Sequence, residues 1–162
     1  MTVSIRHFAP GDAAKFRELN LRWIREHFGV EESDSKQLDD PRATILDPGG
    51  TIAIAELDGS IVGCGALVPP HHVPEDGRKW LELVKMATDP SAQGRGVASA
   101  VLDFLFDAAR QQGFDAIWLE TNDRLGAATR LYERKGFRSL ECGELWPTPY
   151  ERCNLQMARL LD

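Results

Sequence analysis

Apolar and polar residues alternate over 2–8 (TVSIRHF), the two-residue period of a strand with one covered face. The period then lengthens. Asp12 is placed to cap a helix over 12–28, along which Phe16, Leu19, Trp23 and Ile24 recur at helical spacing. A second helix is expected over 34–46, interrupted by Pro41, and Asp47-Pro48-Gly49-Gly50 breaks the chain after it. TIAIAEL (51–57) and IVGCGALVP (61–69), joined by Asp58-Gly59-Ser60, read as a β-hairpin. A loop at 69–77 follows, and then WLELVKMAT (80–88), whose two-sided apolar character suits a strand inside a sheet. Val97, Val101, Leu102, Leu105 and Ala109 form one face of a helix over 97–112, which Gly113 stops. AIWLETN (116–122) is a strand. Residues 124–135 form a helix with Leu125, Ala128, Leu131 and Tyr132 inward and Gly136 at its end. FRSLE (137–141) and ERCNLQMARL (151–160) are the closing strands.

The order β-α-α-β-β-β-α-β-α-β-β predicts an α/β domain with a mixed sheet, antiparallel hairpins first and a strand–helix–strand crossover later. The chain has 162 residues, which suits a single domain over 1–162 with one sizeable core. The N-terminus MTVSIRHFAP holds no long apolar run, so no membrane partner and a cytoplasmic location are expected. A net charge of -6 argues against nucleic acid, whose phosphates demand a basic face. The three cysteines, Cys64, Cys142 and Cys153, lack metal-like spacing and read as buried free thiols.

The candidate chemistry lies in SAQGRGVASAV (91–101), where Gly94 and Gly96 flank Arg95 just before a helix. The first amides of a helix have no internal partner and carry partial positive charge, so they can bind an anion. Glycines keep side chains out of the way, and Arg95 adds a cation. A plain strand-to-helix turn would read the same way. The run is neither a Walker loop nor a GxGxxG or GxGxxA fingerprint, although Glu120 falls at a suitable distance for a ribose contact.

Gln93-Gly94-Arg95-Gly96-Val97-Ala98, Glu82-Leu83-Val84-Lys85-Met86 and Leu131-Tyr132-Glu133-Arg134-Lys135-Gly136-Phe137 together resemble the GNAT N-acetyltransferase superfamily. The first is similar to its Q/R-x-x-G-x-G/A signature. The second precedes an Asp89-Pro90 turn, as in the family's central strand. The third resembles its LYxxxGF segment. The resemblance is dense over 51–141 and implies a splayed central sheet and an acetyl-CoA-dependent acyltransferase. The amides of 94–98 would hold the CoA pyrophosphate, with the Gln93 amide nearby. The pantetheine would lie along 80–88 like an added strand, against backbone near Met86 and Thr88. The Met86 N–H would polarise the thioester carbonyl. Glu82, four residues before Met86 and so expected on the same strand face, would be the general base, and Tyr132 the acid at the CoA sulfur.

One position departs from the pattern. Leu125 stands where many members have an asparagine that contacts pantetheine, and Asn122 is the replacement candidate. Glu120 is a second candidate for base or acceptor binding, or else a solvated strand-end carboxylate. Trp23, His27 and Phe28 fall where the family shapes its acceptor site, and Trp146, Pro147, Pro149 and Tyr150 could form another wall. Arg134, Lys135 and Arg138 are candidates for neutralising the distal CoA phosphate. His71 and His72 read as ordinary loop residues, and no metal is expected. The implied partner is a small-molecule or peptide amine, and the family's common assembly is a homodimer. A CoA-binding sensor without turnover on the same fold is the alternative.

Overall fold

The computed structural model describes residues 2–148 and 153–162. Seven strands and four main helices alternate: β1 Ser4–His7, α1 Ala13–His27, α2 Glu32–Asp39, β2 Thr51–Leu57, β3 Ser60–Val68, β4 Trp80–Thr88, α3 Val97–Gln111, β5 Ala116–Thr121, α4 Gly126–Arg134, β6 Arg138–Ser139 and β7 Leu155–Leu160. They build one mixed sheet in the order β1-β2-β3-β4-β5-β7-β6. Only β4 and β5 run parallel, joined by the α3 crossover, and the other neighbours are antiparallel. The expected α/β class and element order hold.

Local chemistry shifts several boundaries. Asp12 stands at the N-cap of α1, but its side chain makes no capping hydrogen bond to that helix. It accepts hydrogen bonds from the Ala9 amide (2.7 Å) and both terminal nitrogens of Arg6 (2.7 and 2.9 Å), tying β1 to the turn before the helix. The expected 34–46 helix is two pieces. α2 ends at Asp39, because Asp40, the residue before Pro41, takes a ψ of 80° outside the helical region, and a wider turn follows over Arg42–Leu46, closed by the Asp47 amide donating to the Arg42 carbonyl (2.8 Å). β6 is only two residues long because Phe137 turns inward onto Phe106 and Tyr132.

Each face of the sheet buries its own apolar cluster. α3 covers one face, where Val97, Val101, Leu102 and Leu105 meet Ala53, Leu67, Leu81, Leu83 and, from α4, Tyr132. α1 and α2 cover the other, where Phe16, Leu19, Ile24 and Leu38 meet Ile52, Ile54 and Cys64. Burial on this scale, at about 25 cal/mol per Å² of apolar surface, is the main force holding the layers together.

Two irregularities in β4 shape everything that follows. Its pairing with β5 covers only Trp80↔Ala116, Leu81↔Ile117 and Glu82↔Trp118. Past that point β4 continues beside β3 to Thr88 and β5 beside β7 to Thr121, so the sheet forks. The second irregularity is a bulge. Ala66 pairs with Val84 and Cys64 with Ala87, so Lys85 and Met86 together oppose Gly65, and Lys85 takes φ +57°. The extra residue reverses the in/out alternation. Leu81, Leu83 and Met86 face α3, whereas Val84 and Ala87 face α1, and Lys85 reaches Asp34 of α2. Glu82 and Met86 therefore lie on opposite faces, which corrects the shared face expected from unbroken strand spacing.

Candidate active site

The glycine turn enters α3 with Gly94 at φ +79° and Gly96 at φ +76°. Gly96 is the residue that caps the helix, so the amides from Gly96 into the first turn have no intrahelical acceptor. A Cβ on Gly94 or Gly96 would meet nothing within 4 Å. What glycine supplies there is a left-handed backbone and a bare outer surface, not space inside the protein. That surface opens on a cavity of about 750 Å³ lined by Val84 to Thr88 of β4, by Gln93, Gly94 and Gly96–Ser99, and by Leu119 to Thr121 of β5. Its far wall is α4, with Ala128, Leu131, Tyr132 and Arg134.

Met86 can face this cavity because Gly65 has no side chain. A Cβ at Gly65 would stand 2.4 Å from the Met86 sulfur. The bulge itself is tied down from the α1 side. The Cys64 thiol donates to the Lys85 carbonyl (3.4 Å) and accepts from Asn20 Nδ2 (3.3 Å). Burial pushes that thiol up to about 12, so Cys64 is a structural donor, not a nucleophile. Lys85 Nζ lies 2.6 Å from Asp34 Oδ1, with both side chains almost completely buried. Tyr132 is buried against Phe137, and burial raises its phenol to about 12, which keeps it protonated at neutral pH.

At the fork a smaller pocket of about 80 Å³ continues the cleft. It shares Trp23, Leu83, Val84, Lys85, Glu120, Thr121 and Leu125 with the large cavity and adds Phe28, Glu82, Asn122 and Cys153. Glu82 is 5% exposed. Its Oε1 lies 2.7 Å from His71 Nδ1, and the His71 amide points to the same oxygen at 3.4 Å. Burial pushes the Glu82 carboxyl above the ordinary carboxylate range, against the opposing pull of His71. For His71, burial disfavours the cation, but the Glu82 contact outweighs it and the net shift is upward. The chemistry this allows is a proton acceptor at one end of a cleft and a proton donor at the other, with an anion site beyond.

The sequence profile described as the acetyltransferase (GNAT) family matches residues 15–137. The chain belongs to this family. It is 32% identical over 139 residues to a mycothiol acetyltransferase of Sanguibacter keddieii, covering 83% of this chain and 43% of that protein. It is 29% identical over 146 residues to the uncharacterized N-acetyltransferase YjgM of Escherichia coli, covering 87% and 85% of the two chains. The chain thus spans less than half of the first relative's length. A GNAT-family acetyltransferase structure from Staphylococcus aureus superposes with a TM-score of 0.85 at 22% identity, over 99% of this chain and 100% of that one. A GNAT superfamily phosphinothricin acetyltransferase from Sinorhizobium meliloti, in complex with acetyl-CoA, does so with a TM-score of 0.78 at 17% identity, over 99% and 89%.

Within this GNAT fold the anticipated residues fall into two groups. Met86, Thr88, Gln93, Gly94, Gly96, Val97, Ala98 and Tyr132 line the large cavity, while Arg95 sits on the exposed turn. Glu82, Glu120 and Asn122 line the small pocket, and Glu120 borders both. Asn122 is away from the large cavity. Its Oδ1 accepts from the Arg124 amide (2.9 Å), which shapes the entry to α4. The basic trio separates: Arg134 lines the cavity, whereas Lys135 pairs with Asp103 (2.8 Å) and Arg138 with Glu144 (2.8 Å). Trp23, His27 and Phe28 cluster at the end of α1, with the Arg124 guanidinium 5.0 Å above the Phe28 ring. Trp146 is buried on Trp118, and Pro149 and Tyr150 lie outside the described residues. Cys142 is exposed and Cys153 half-buried, so only Cys64 is the buried thiol expected of all three. Sequence reasoning passed over His71, whose only signal was a histidine pair in a loop leading back to WLELVKM. Among the described residues no group of three or more His, Cys, Asp or Glu is placed to hold a metal ion, and no helix is long and apolar enough to cross a membrane.

Proposed function

We propose that this chain transfers an acetyl group from acetyl-CoA to a primary amine by direct attack in a ternary complex. The observation that carries this reading is the fork. One continuous cleft runs from the bare helix N-terminus, past the bulged edge of β4, to a buried carboxylate. The amides of Gly94 to Ala98 hold the pyrophosphate, since an anion there meets the first N–H groups and the positive end of a 15-residue helix. Arg134 neutralises charge along the same wall. The pantetheine lies along the edge of β4 that β5 has left, where the strand's backbone groups are open to a new partner near Met86 and Thr88.

The Met86 N–H polarises the thioester carbonyl and stabilises the oxyanion that forms on attack. The acceptor amine enters from the small pocket. Glu82 takes its proton, the nitrogen lone pair attacks the carbonyl carbon, and the tetrahedral intermediate collapses with loss of the thiolate. Tyr132, kept neutral by burial, donates a proton to that sulfur, and its phenolate regains one from the acylated nitrogen, which leaves a neutral amide. No covalent enzyme intermediate is needed.

The test is release of free CoA thiol over a panel of amino acids, peptides, polyamines and aminoglycosides. Amine-dependent thiol release with a matching N-acetylated product is the expected result. Saturable acetyl-CoA binding with no release for any amine would replace this reading with a silent CoA-binding protein.

A further inference from the structure

His71 sits in the loop between β3 and β4, with its ring partly exposed but held by two indoles and by partners at both nitrogens. It stands edge-on to Trp118 (centroids 5.1 Å apart, planes at 70°) and to Trp146 (6.1 Å, 72°). Those two indoles stack on each other at 4.5 Å and 2°. Trp146 is fixed in turn by Gln156 of β7, whose side chain accepts from the Trp146 amide (2.7 Å) and donates to its carbonyl (2.8 Å). With its plane set this way, His71 presents Nδ1 to Glu82 Oε1 at 2.7 Å and Nε2 to the carbonyl oxygen of Pro147.

The proton count follows from the partners. A backbone carbonyl only accepts, so Nε2 carries a proton. An ionised carboxylate also only accepts, so when Glu82 is ionised Nδ1 carries one too, and the ring is an imidazolium. The alternative pair with the same net charge is a neutral ring accepting from a protonated Glu82. A carboxylate beside a neutral ring is disfavoured, because either Nδ1 would face Glu82 lone pair to lone pair or Nε2 would lose its bond to Pro147. Burial opposes both charges, and the neighbouring charges work against it in favour of the ionic form. Glu120 on β5 adds negative potential at the ring, and Lys85 on β4, held by Asp34 of α2, adds positive potential at Glu82. His72, next in the loop, packs on Trp146, and Trp146 and Pro147 bring the ring an indole edge and a carbonyl but no ionisable group.

We infer that His71 is a positioning residue for Glu82: its imidazolium keeps this buried carboxyl ionised and fixes Oε1, leaving Oε2 to receive the amine proton. The inference rests on the acetyl-transfer reading for its role, though not for the pair itself. In the step, the amine N–H bond breaks and its electrons stay on nitrogen, while the proton moves to Glu82. The carboxylic acid–imidazolium pair then carries one extra positive charge and returns a proton to water before the next turnover.

Two measurements test it. The first is the pH dependence of kcat/KM for His71→Gln with any amine that turns over. Removing the imidazolium raises the pKa of Glu82, so the acid limb of the profile moves to higher pH by about one unit or more, which is about tenfold in rate on the limb. Activity returns to near the wild-type level on the alkaline side. A profile lowered equally at every pH would mean a purely structural role and overturn the inference. The second measurement needs no substrate and no His71 variant. Nitrogen-15 NMR of the wild-type imidazoles reads which ring nitrogens are protonated and at what midpoint. His71 is expected to titrate above the ordinary histidine range with Nε2 protonated throughout, and Glu82→Gln should lower its midpoint by about one unit or more. A midpoint unmoved by Glu82→Gln overturns the pair. A moved midpoint together with no thiol release for any amine leaves the pair standing and removes the transfer reading instead.

Discussion

Tyr132 both fills the core and borders the cavity, which makes its proposed chemistry testable apart from its packing. Its ring fills the α3 face of the core beside Phe137, while the residue also borders the large cavity. Tyr132→Phe keeps the ring and removes the proton. We expect kcat to fall by about 10²-fold, with the Kd for acetyl-CoA within about twofold of wild type. Steady-state kinetics paired with calorimetry checks this, and an unchanged kcat with chemistry limiting the rate would remove Tyr132 as the donor. This residue was legible in the sequence because its neighbours LYERKGF are contiguous. His71 was not. Its two partners are 11 and 76 positions away, and nothing in a loop of prolines and histidines announces that one ring nitrogen will meet a strand carboxylate and the other a distant carbonyl.

At the scale of elements, period and punctuation were readable and their exceptions were not. The hairpin, the α3 helix and the limits of β4 follow directly from alternation, helical spacing and glycine stops. The bulge does not, because a run apolar on both sides gives no parity for an extra residue to disturb. Lys85 in WLELVKM was its only trace: a charge in an apolar strand that needs a buried partner. Asp34 is that partner, and the ion pair links the bulge to α2. Lys85→Met should destabilise by about 3–5 kcal/mol, since it deprives a buried carboxylate of its ammonium. Adding Asp34→Leu should recover most of that loss, because two apolar groups of similar volume remove the uncompensated charge. Urea unfolding of the wild type, the single variant and the double variant measures the cycle. A double variant no more stable than Lys85→Met would mean that the pair is not what the bulge depends on.

For the whole molecule, composition and element order sufficed for the α/β class, but not for the sheet's final order. β7 inserts between β5 and β6, and no periodicity encodes which strand a returning segment joins. The fork was anticipated from the resemblance, and its physical form is three paired residues on each of β4 and β5. That short join is expected to make two mechanical units. β1 to β4 with α1, α2 and α3 form one, and β5, α4, β6 and β7 form the other, meeting at the β4–β5 join and through the rings of Phe106, Tyr132 and Phe137. Cooperative units separated by so narrow a join open at different free energies. Amide exchange of the free protein should therefore show the later unit opening at lower cost than the earlier one. Acetyl-CoA bound across both walls of the cleft, as proposed, would raise the melting temperature and bring the two opening energies together. Equal protection in the free protein would deny the division. In such a molecule the substrate would close a seam that the sheet leaves unsewn, and losing the product would loosen the very unit that parts for the next acyl donor.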